Sequence, residues 1–309
     1  MEWVDLPTPA PGPGAVLVAQ TAVGVNFIDV YFRSGLYPWP PGPMIPGAEA
    51  SGVVEAVGAG VTGLRPGDQV AYILPHGAYR SHRVVPADRL VRLPKGIDPV
   101  AIAGALLKGL TAQYLVTSSY AVKAGDTVLV HAAAGGVGLI LGQWLRVLGV
   151  RAIGTAGTPE KVALALAHGY DHVINYRTED FAAVVAELTG GAGCAAVYDS
   201  VGADTWRGSL KCLRRRGMFV NFGQSSGTIR DFALSDLAAG GSLSANRPVV
   251  FDYIADRAEL LERAGDLFAR LLNGSIRLDV ANTRPLREAA AAHTALEARQ
   301  TTGSTILIV

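Results

Sequence analysis

The chain has 309 residues, 27 basic and 26 acidic, half of them hydrophobic, with 37 glycines and two cysteines. That length suits two domains, and the composition is that of a folded α/β protein, not a disordered or fibrous one. A net charge of +1 leaves no general attraction to nucleic acid or to an acidic membrane surface, and no apolar run is long enough to span a bilayer.

The N-terminus lacks the charged and apolar regions of a leader, so the expected location is cytoplasmic. Up to about Pro94 the chain is rich in Gly and Pro, with short β-type runs at Ala15–Val23, Ser51–Val57, Gln69–Ile73 and Tyr79–Val85. They predict a partly closed antiparallel β domain. The segment Asp98–Ser119 is helical in composition. From Thr127 strands alternate with helices: Thr127–Val130, Arg151–Thr155, His172–Tyr176, Ala195–Asp199, Met218–Phe222 and Ser242–Ala245. That alternation predicts a doubly wound parallel sheet with right-handed crossovers. Helical stretches follow at Tyr253–Asn273 and Leu286–Arg299, and a last strand at Ser304–Val309 is expected to return to the first domain. The fold class is α/β, a Rossmann sheet inserted in a β-rich domain. The predicted division is 1–107 plus 249–309 for the β-rich, substrate domain and 108–248 for the cofactor domain.

The most informative stretch is Val128–Gly138, a buried strand that breaks into small residues and then opens a helix. Gly135, Gly136, Val137 and Gly138 form a turn whose backbone can approach a pyrophosphate, with the helix N-terminus behind it. Ala132 stands where the commoner fingerprint has its first glycine. A tight turn that binds nothing is the plainer reading, so the next strand matters. Its end, around Gly157, carries no acid to hold a ribose hydroxyl pair; Lys161 lies just beyond, and Tyr176 ends the following strand. Lys161 alone reads as a solvated helix residue. Together with the missing acid it predicts NADPH rather than NADH. Ligands of open α/β sheets bind at the carboxyl ends of strands, which singles out Ser200-Val201 and Phe222, Gly223 and Ser225 as crevice walls.

Two cysteines make no disulfide framework, and the six histidines show no metal-ligand spacing. The run Arg214–Arg216 reads as a solvated helix end, and Cys194 and Cys212 as packing residues.

Several segments carry a family resemblance: Asn26–Tyr37 (NFIDVYFRSGLY), Gly47–Gly52 (GAEASG), Lys108–Ala112 (KGLTA), His131–Gly138, Val197–Gly202 and Phe222–Gly227. Together they resemble the zinc-independent quinone oxidoreductases, the zeta-crystallin-like branch of the medium-chain dehydrogenase/reductase superfamily, over nearly the whole chain. The resemblance implies an NADPH-dependent reductase of quinones. It places Asn26, Tyr31, Lys108, Thr111 and Tyr114 near the nicotinamide end, with Val249 and Val250 passing it and Arg299 near the adenosine phosphate. Asn26, Tyr31, Tyr37, Thr111 and Arg247 would bound the substrate. On residue type alone Asn26 reads equally as a helix cap, the tyrosines as packing, and Lys108 and Arg299 as surface residues. Zinc alcohol dehydrogenases of the superfamily carry a Cys at the position matching Asn26 and a His at that matching Ala48. Both ligands are missing, so no metal is expected. The alternatives are NADPH-dependent reduction of the C=C bond of enones or alkenals, with a tyrosine as proton donor, or a non-catalytic cofactor-binding or RNA-associated protein. The small-residue edge strand Ser242–Ala245 predicts a homodimer, as the family pairs that edge across a two-fold axis. Family members carry an extra N-terminal β segment before the part that matches Val4 onward, and Ala281–Pro285 reads as a shortened surface loop.

Overall fold

The structure, a computed structural model, describes residues 1–309. The chain divides into one compact unit of residues 1–110 and 253–309 and a second of 111–252.

In the first unit, residues 1–12 have no regular secondary structure. Then come β1 (Ala15–Val25), α1 (Phe27–Arg33), β2 (Glu49–Val57), β3 (Gln69–Ile73), β4 (His82–Pro86), β5 (Leu90–Arg92), α2 (Pro99–Ala103) and α3 (Leu106–Tyr114), whose last turns belong to the second unit. The second unit contains β6 (Thr127–Val130), α4 (Gly136–Val147), β7 (Arg151–Ala156), α5 (Pro159–Ala167), β8 (His172–Asn175) and α6 (Phe181–Leu188). It continues through β9 (Cys194–Asp199), α7 (Trp206–Lys211), β10 (Leu213–Asn221), α8 (Leu234–Ala239), β11 (Ser244–Asn246) and α9 (Val250–Tyr253). The chain returns to the first unit with α10 (Arg257–Leu272), β12 (Val280–Pro285), α11 (Ala289–Glu297) and β13 (Ser304–Ile308).

The first unit is built on a seven-stranded sheet, β12-β13-β1-β2-β3-β5, with β4 also pairing with β1. Its pairs are antiparallel except β12 with β13. β1 holds it together, taking β13, β2 and β4 as partners along its eleven residues. The core against it is Val16, Val18, Val23, Val54, Tyr72, Val85, Leu90 and Leu307, all buried. The C-terminal strand thus closes the domain in which the chain starts, as expected.

The second unit is a parallel sheet ordered β11-β10-β9-β6-β7-β8. The strand order reverses between β6 and β9, the place where a doubly wound sheet opens a crevice beyond its strand ends. Leu129, Ile153, Ile174, Val197 and Phe219 fill one face, together with Cys194 and Cys212. Both cysteines are free and buried; burial pushes the Cys194 thiol up to about 12 and the Cys212 thiol higher still.

Several expectations are corrected. Arg214, Arg215 and Arg216 are not a helix end. They lie in β10, whose pairing with β9 slips between Leu213 and Met218, so the three side chains bulge into solvent and Arg216 takes a φ of +60°. Ala281–Pro285 is not a loop but lies in β12, the edge strand beside β13. The helical stretch 98–119 is two helices and a wider π turn, Leu115–Ser119. The break falls at Gly104, which ends α2 and has no room for a side chain, a Cβ there meeting Ile306 of β13 at 2.6 Å.

Candidate functional site

In the second unit the glycine turn follows β6 directly. Ala132 adopts a left-handed φ of +55°, the conformation for which the usual glycine is suited and which strains an alanine by roughly 1 kcal/mol. Gly135 caps α4, and Gly136, Val137 and Gly138 form its first turn, so unpaired N–H groups and the positive end of a twelve-residue helix face the turn. A Cβ on Gly138 would stand 2.5 Å from the carbonyl oxygens of both Ala132 and Ala133. Only glycine lets strand end and helix start lie this close, a packing that suits a pyrophosphate cradle.

At the end of β7 the sequence-predicted residues Gly157 and Tyr176 are brought together: a Cβ on Gly157 would stand 2.5 Å from the Tyr176 hydroxyl. Tyr176 is held by its N–H on the Ala156 carbonyl and is 39 % exposed. Lys161 lies in the first turn of α5, its N–H donated to the Thr158 hydroxyl that caps the helix. The loops after β9 and β10 are tied together: Phe222 N–H donates to Asp199 O, Ser225 N–H to Ser200 O, and a Cβ on Gly223 would meet Ser200 O at 2.7 Å. Val201, Gly223 and Ser225 therefore share one rim, with Phe222 between them. Thr111 and Tyr114 are buried on α3, Arg247 and Val249 are exposed after β11, and Val250 opens α9.

Beneath this rim lies a network that sequence reading missed. Asp199 accepts the N–H groups of Val201 and Gly202 and the hydroxyls of Thr205 and Ser209; His131 sits 3.0 Å from both the Ser209 and Thr155 hydroxyls. Since Ser209 donates to Asp199, His131 donates from Nε2, and in the neutral form that burial favours Nδ1 accepts from the Thr155 hydroxyl. Burial lowers its pKa in the same sense. Strands β6, β7 and β9 are thereby fixed to one another under the turn. A depression of about 510 Å³ at the opposite, amino ends of the strands, lined by Arg146, Arg151, Tyr170 and Asp171 among others, carries none of these groups.

In the first unit Asn26, Glu49 and Lys108 meet. The Asn26 amide donates to Glu49 Oε1 at 2.9 Å, Lys108 Nζ donates to the same oxygen at 2.8 Å, and the Leu107 N–H donates to Oε2 at 2.7 Å. Asn26 does stand at the N-cap of α1, but its side-chain amide serves Glu49. The Leu107 bond caps the start of α3 with a carboxylate. Gly24 is required because Glu49 and the Ala103 carbonyl occupy the space a side chain would take. Behind Asn26, Asp29 Oδ2 accepts the Asn26 N–H at 2.8 Å and the Tyr79 hydroxyl at 3.1 Å, and His293 Nε2 lies 2.9 Å from that hydroxyl. With Tyr79 donating to Asp29, His293 donates to Tyr79. Burial raises the Asp29 carboxyl to about 7 against the lowering effects of the Asn26 N–H, Tyr79 and Lys108, and it lowers His293 to about 4. Asp29 Oδ1 and His293 Nδ1 have no hydrogen-bond partner.

From α1 an aromatic run leads outward. Tyr31 and Tyr37 have ring centroids 5.3 Å apart, and Phe32 packs on Tyr37 and on Trp39. Arg299 follows α11 in the same unit, exposed, with a φ of +58°.

The family models that match are described as zinc-binding dehydrogenase, over residues 136–263, and alcohol dehydrogenase GroES-like domain, over 12–95. The donor set does not fit a zinc ion. Asn26 and Ala48 stand at the two ligand positions, both Glu49 oxygens are engaged by N–H donors, and no group of three His, Cys, Asp or Glu converges anywhere in the structure. A quinone oxidoreductase of Pseudomonas aeruginosa is 47% identical over 309 residues, 100% of this chain and 95% of that protein. A 2-haloacrylate reductase of a Burkholderia species is 47% identical over 313 residues, covering 99% and 94%. Among solved structures, that of Escherichia coli quinone oxidoreductase complexed with NADPH superposes with a TM-score of 0.97 at 45% identity, covering 99% and 95% of the two chains.

Proposed function

This chain belongs to the quinone oxidoreductases of the medium-chain dehydrogenase/reductase superfamily, and from that membership we infer that it reduces quinones with NADPH and without zinc. The observation that carries the reading is the Asn26–Glu49–Lys108 cluster: an amide and an alanine, Asn26 and Ala48, stand where a zinc dehydrogenase needs metal ligands, and the Glu49 carboxylate between them is taken by the Asn26 amide and the Lys108 ammonium. NADPH supplies two electrons and one proton, as a hydride equivalent, and the quinone takes these with a second proton from solvent to become a hydroquinone. The protein's work is to hold the two molecules. The turn Gly135–Gly138 and the start of α4 would take the pyrophosphate, Gly157, Lys161, Tyr176 and Arg299 the adenosine phosphate side. Val201, Phe222, Gly223, Ser225, Val249 and Val250 would line the nicotinamide end with Lys108, Thr111 and Tyr114. Asn26, Tyr31, Tyr37, Thr111 and Arg247 would bound the quinone, whose flat ring suits the aromatic faces of Tyr31 and Tyr37.

The test is NADPH oxidation with 1,4-benzoquinone, 9,10-phenanthrenequinone and a simple enone. Turnover of the quinones with NADPH well above NADH is the expected result; turnover of the enone alone would refute the reading. That second activity, reduction of an activated C=C bond, is favoured by the similarity to the 2-haloacrylate reductase. It would ask Tyr31 or Tyr37 to deliver a proton to carbon. The reading carries a cytoplasmic location and a homodimer with it. In the second unit β11 is an edge strand with Ser244 and Ala245 exposed, a backbone free to pair with a second copy. Sedimentation at micromolar concentration should give twice the chain mass, and a monomer would remove the dimer.

A further inference from the structure

We propose that the Lys108 ammonium, clamped by Glu49, is the cation that stabilises negative charge on the substrate's oxygen during reduction, beside the two positions that hold zinc in the alcohol dehydrogenases. The proposal rests on the reading of the Asn26 cluster as the substrate end. Three observations carry it. First, the ammonium is held: Glu49 is fully buried, and its oxygens are pinned by the Leu107 N–H and the Asn26 amide as well as by Lys108, whose own side chain is 7% exposed. A charge placed in advance in a water-poor setting acts on a developing charge without reorganisation. Second, an ammonium carries three donors. Glu49 Oε1 takes one, which leaves two for a ligand oxygen. Third, Lys108 is the cation of this cluster. Its other charged or titratable members are the carboxyls of Glu49 and Asp29, with Tyr79 and His293 behind them; Arg33 is engaged by Glu297.

The chemistry asks for such a group. Two electrons and a proton from NADPH, delivered to a quinone before its second proton arrives, leave a full negative charge on a carbonyl oxygen. Addition of the same hydride to an enone leaves an enolate oxygen. In the alcohol dehydrogenases a Lewis acid meets this charge; here a donated N–H bond from Lys108 meets it. Asn26, through its remaining amide donor, is placed to assist.

The test needs no turnover. Binding of 4-nitrophenolate, an oxyanion on a flat ring, is compared with that of its neutral ether 4-nitroanisole at a pH where the phenol is ionised, using the whole protein with NADP⁺. Lys108→Met should weaken the phenolate about tenfold or more and leave the ether within about twofold. Lys108→Arg should keep most of the phenolate preference. Glu49→Gln/Lys108→Met removes both buried charges, so its fold does not depend on an unpaired carboxylate, and it should lose the preference like the single variant. Equal loss of phenolate and ether, or a preference that survives Lys108→Met, would overturn the assignment while wild-type quinone turnover leaves the functional reading standing. A wild-type protein that neither binds the phenolate nor reduces any quinone would overturn both.

Discussion

Asp29 offers a quantitative test of how the site is held. Its carboxyl is fully buried and raised by burial from an ordinary 3.8 to about 7, so the folded protein holds this proton more tightly than the unfolded chain does. The sign follows: the contribution to stability is full below about pH 4 and is lost as pH rises through about 7. At about 1.4 kcal/mol for each pH unit, the ceiling on the loss is about 4 kcal/mol. Asp29→Asn mimics the protonated acid, keeping an oxygen for the Asn26 N–H and the Tyr79 hydroxyl while removing the titration. Because the chain has two compact units, a single unfolding free energy is not well defined, and hydrogen exchange of peptides within residues 15–33 is the better measure. After correction for intrinsic exchange, wild type and variant should agree near pH 4. They should diverge between pH 5 and 7, with the variant the more protected by up to a few kcal/mol at pH 8. Parallel curves from pH 5 to 8 would show that Asp29 does not change charge there, and the reasoning from burial would fail.

Other consequences are as direct. Gly138→Ala forces a methyl against two backbone carbonyls at 2.5 Å that no rotamer can relieve; NADPH titration should show at least tenfold weaker binding, and unchanged affinity would remove this turn from the cofactor site. Lys161→Ala should weaken NADPH by about 1–3 kcal/mol and barely touch NADH, measured by fluorescence titration of both; equal loss for the two would take Lys161 away from the phosphate. Quinone turnover should survive dialysis against a strong chelator, since both Glu49 oxygens are engaged by N–H donors. Loss of activity restored by zinc would refute that account of the cluster.

What the sequence disclosed, and what it hid, divides by distance along the chain. The turn at Gly135–Gly138 is a local pattern, strand to glycine to apolar helix, and it was legible; the reversal of strand order that frames it emerges only from the pairing of β6 with β9. The strand-end rule likewise singled out Ser200-Val201 and Phe222–Ser225, whose loops are tied together in the structure. The meeting of Asn26, Glu49 and Lys108 joins residues 23 and 59 positions apart, and nothing local announces it; the best signal was Gly24, two residues before Asn26, whose missing side chain makes room for Glu49. The Asp199–Ser209–His131 network was hidden for the same reason, although a histidine directly after a buried strand is a polar group that must find partners. The arginine run at 214–216 misled because three cations before a glycine look like a helix end, while the pairing slip that turns them outward in β10 is set by the neighbouring strand.

The two buried cysteines acquire a different meaning beside the proposed substrate. Quinones are electrophiles that alkylate thiolates, and the reactive species is the ionised sulfur at an accessible surface. Cys194 and Cys212 are the chain's only thiols. They are 0% and 2% exposed, and burial holds both in the protonated form throughout the neutral range. The enzyme therefore presents no thiolate to the compounds it handles, so a catalyst of quinone reduction is spared arylation by its own substrate. Prolonged incubation of the folded protein with excess 1,4-benzoquinone should leave both sulfurs unmodified by mass spectrometry, and denaturation in the same mixture should expose them to attack.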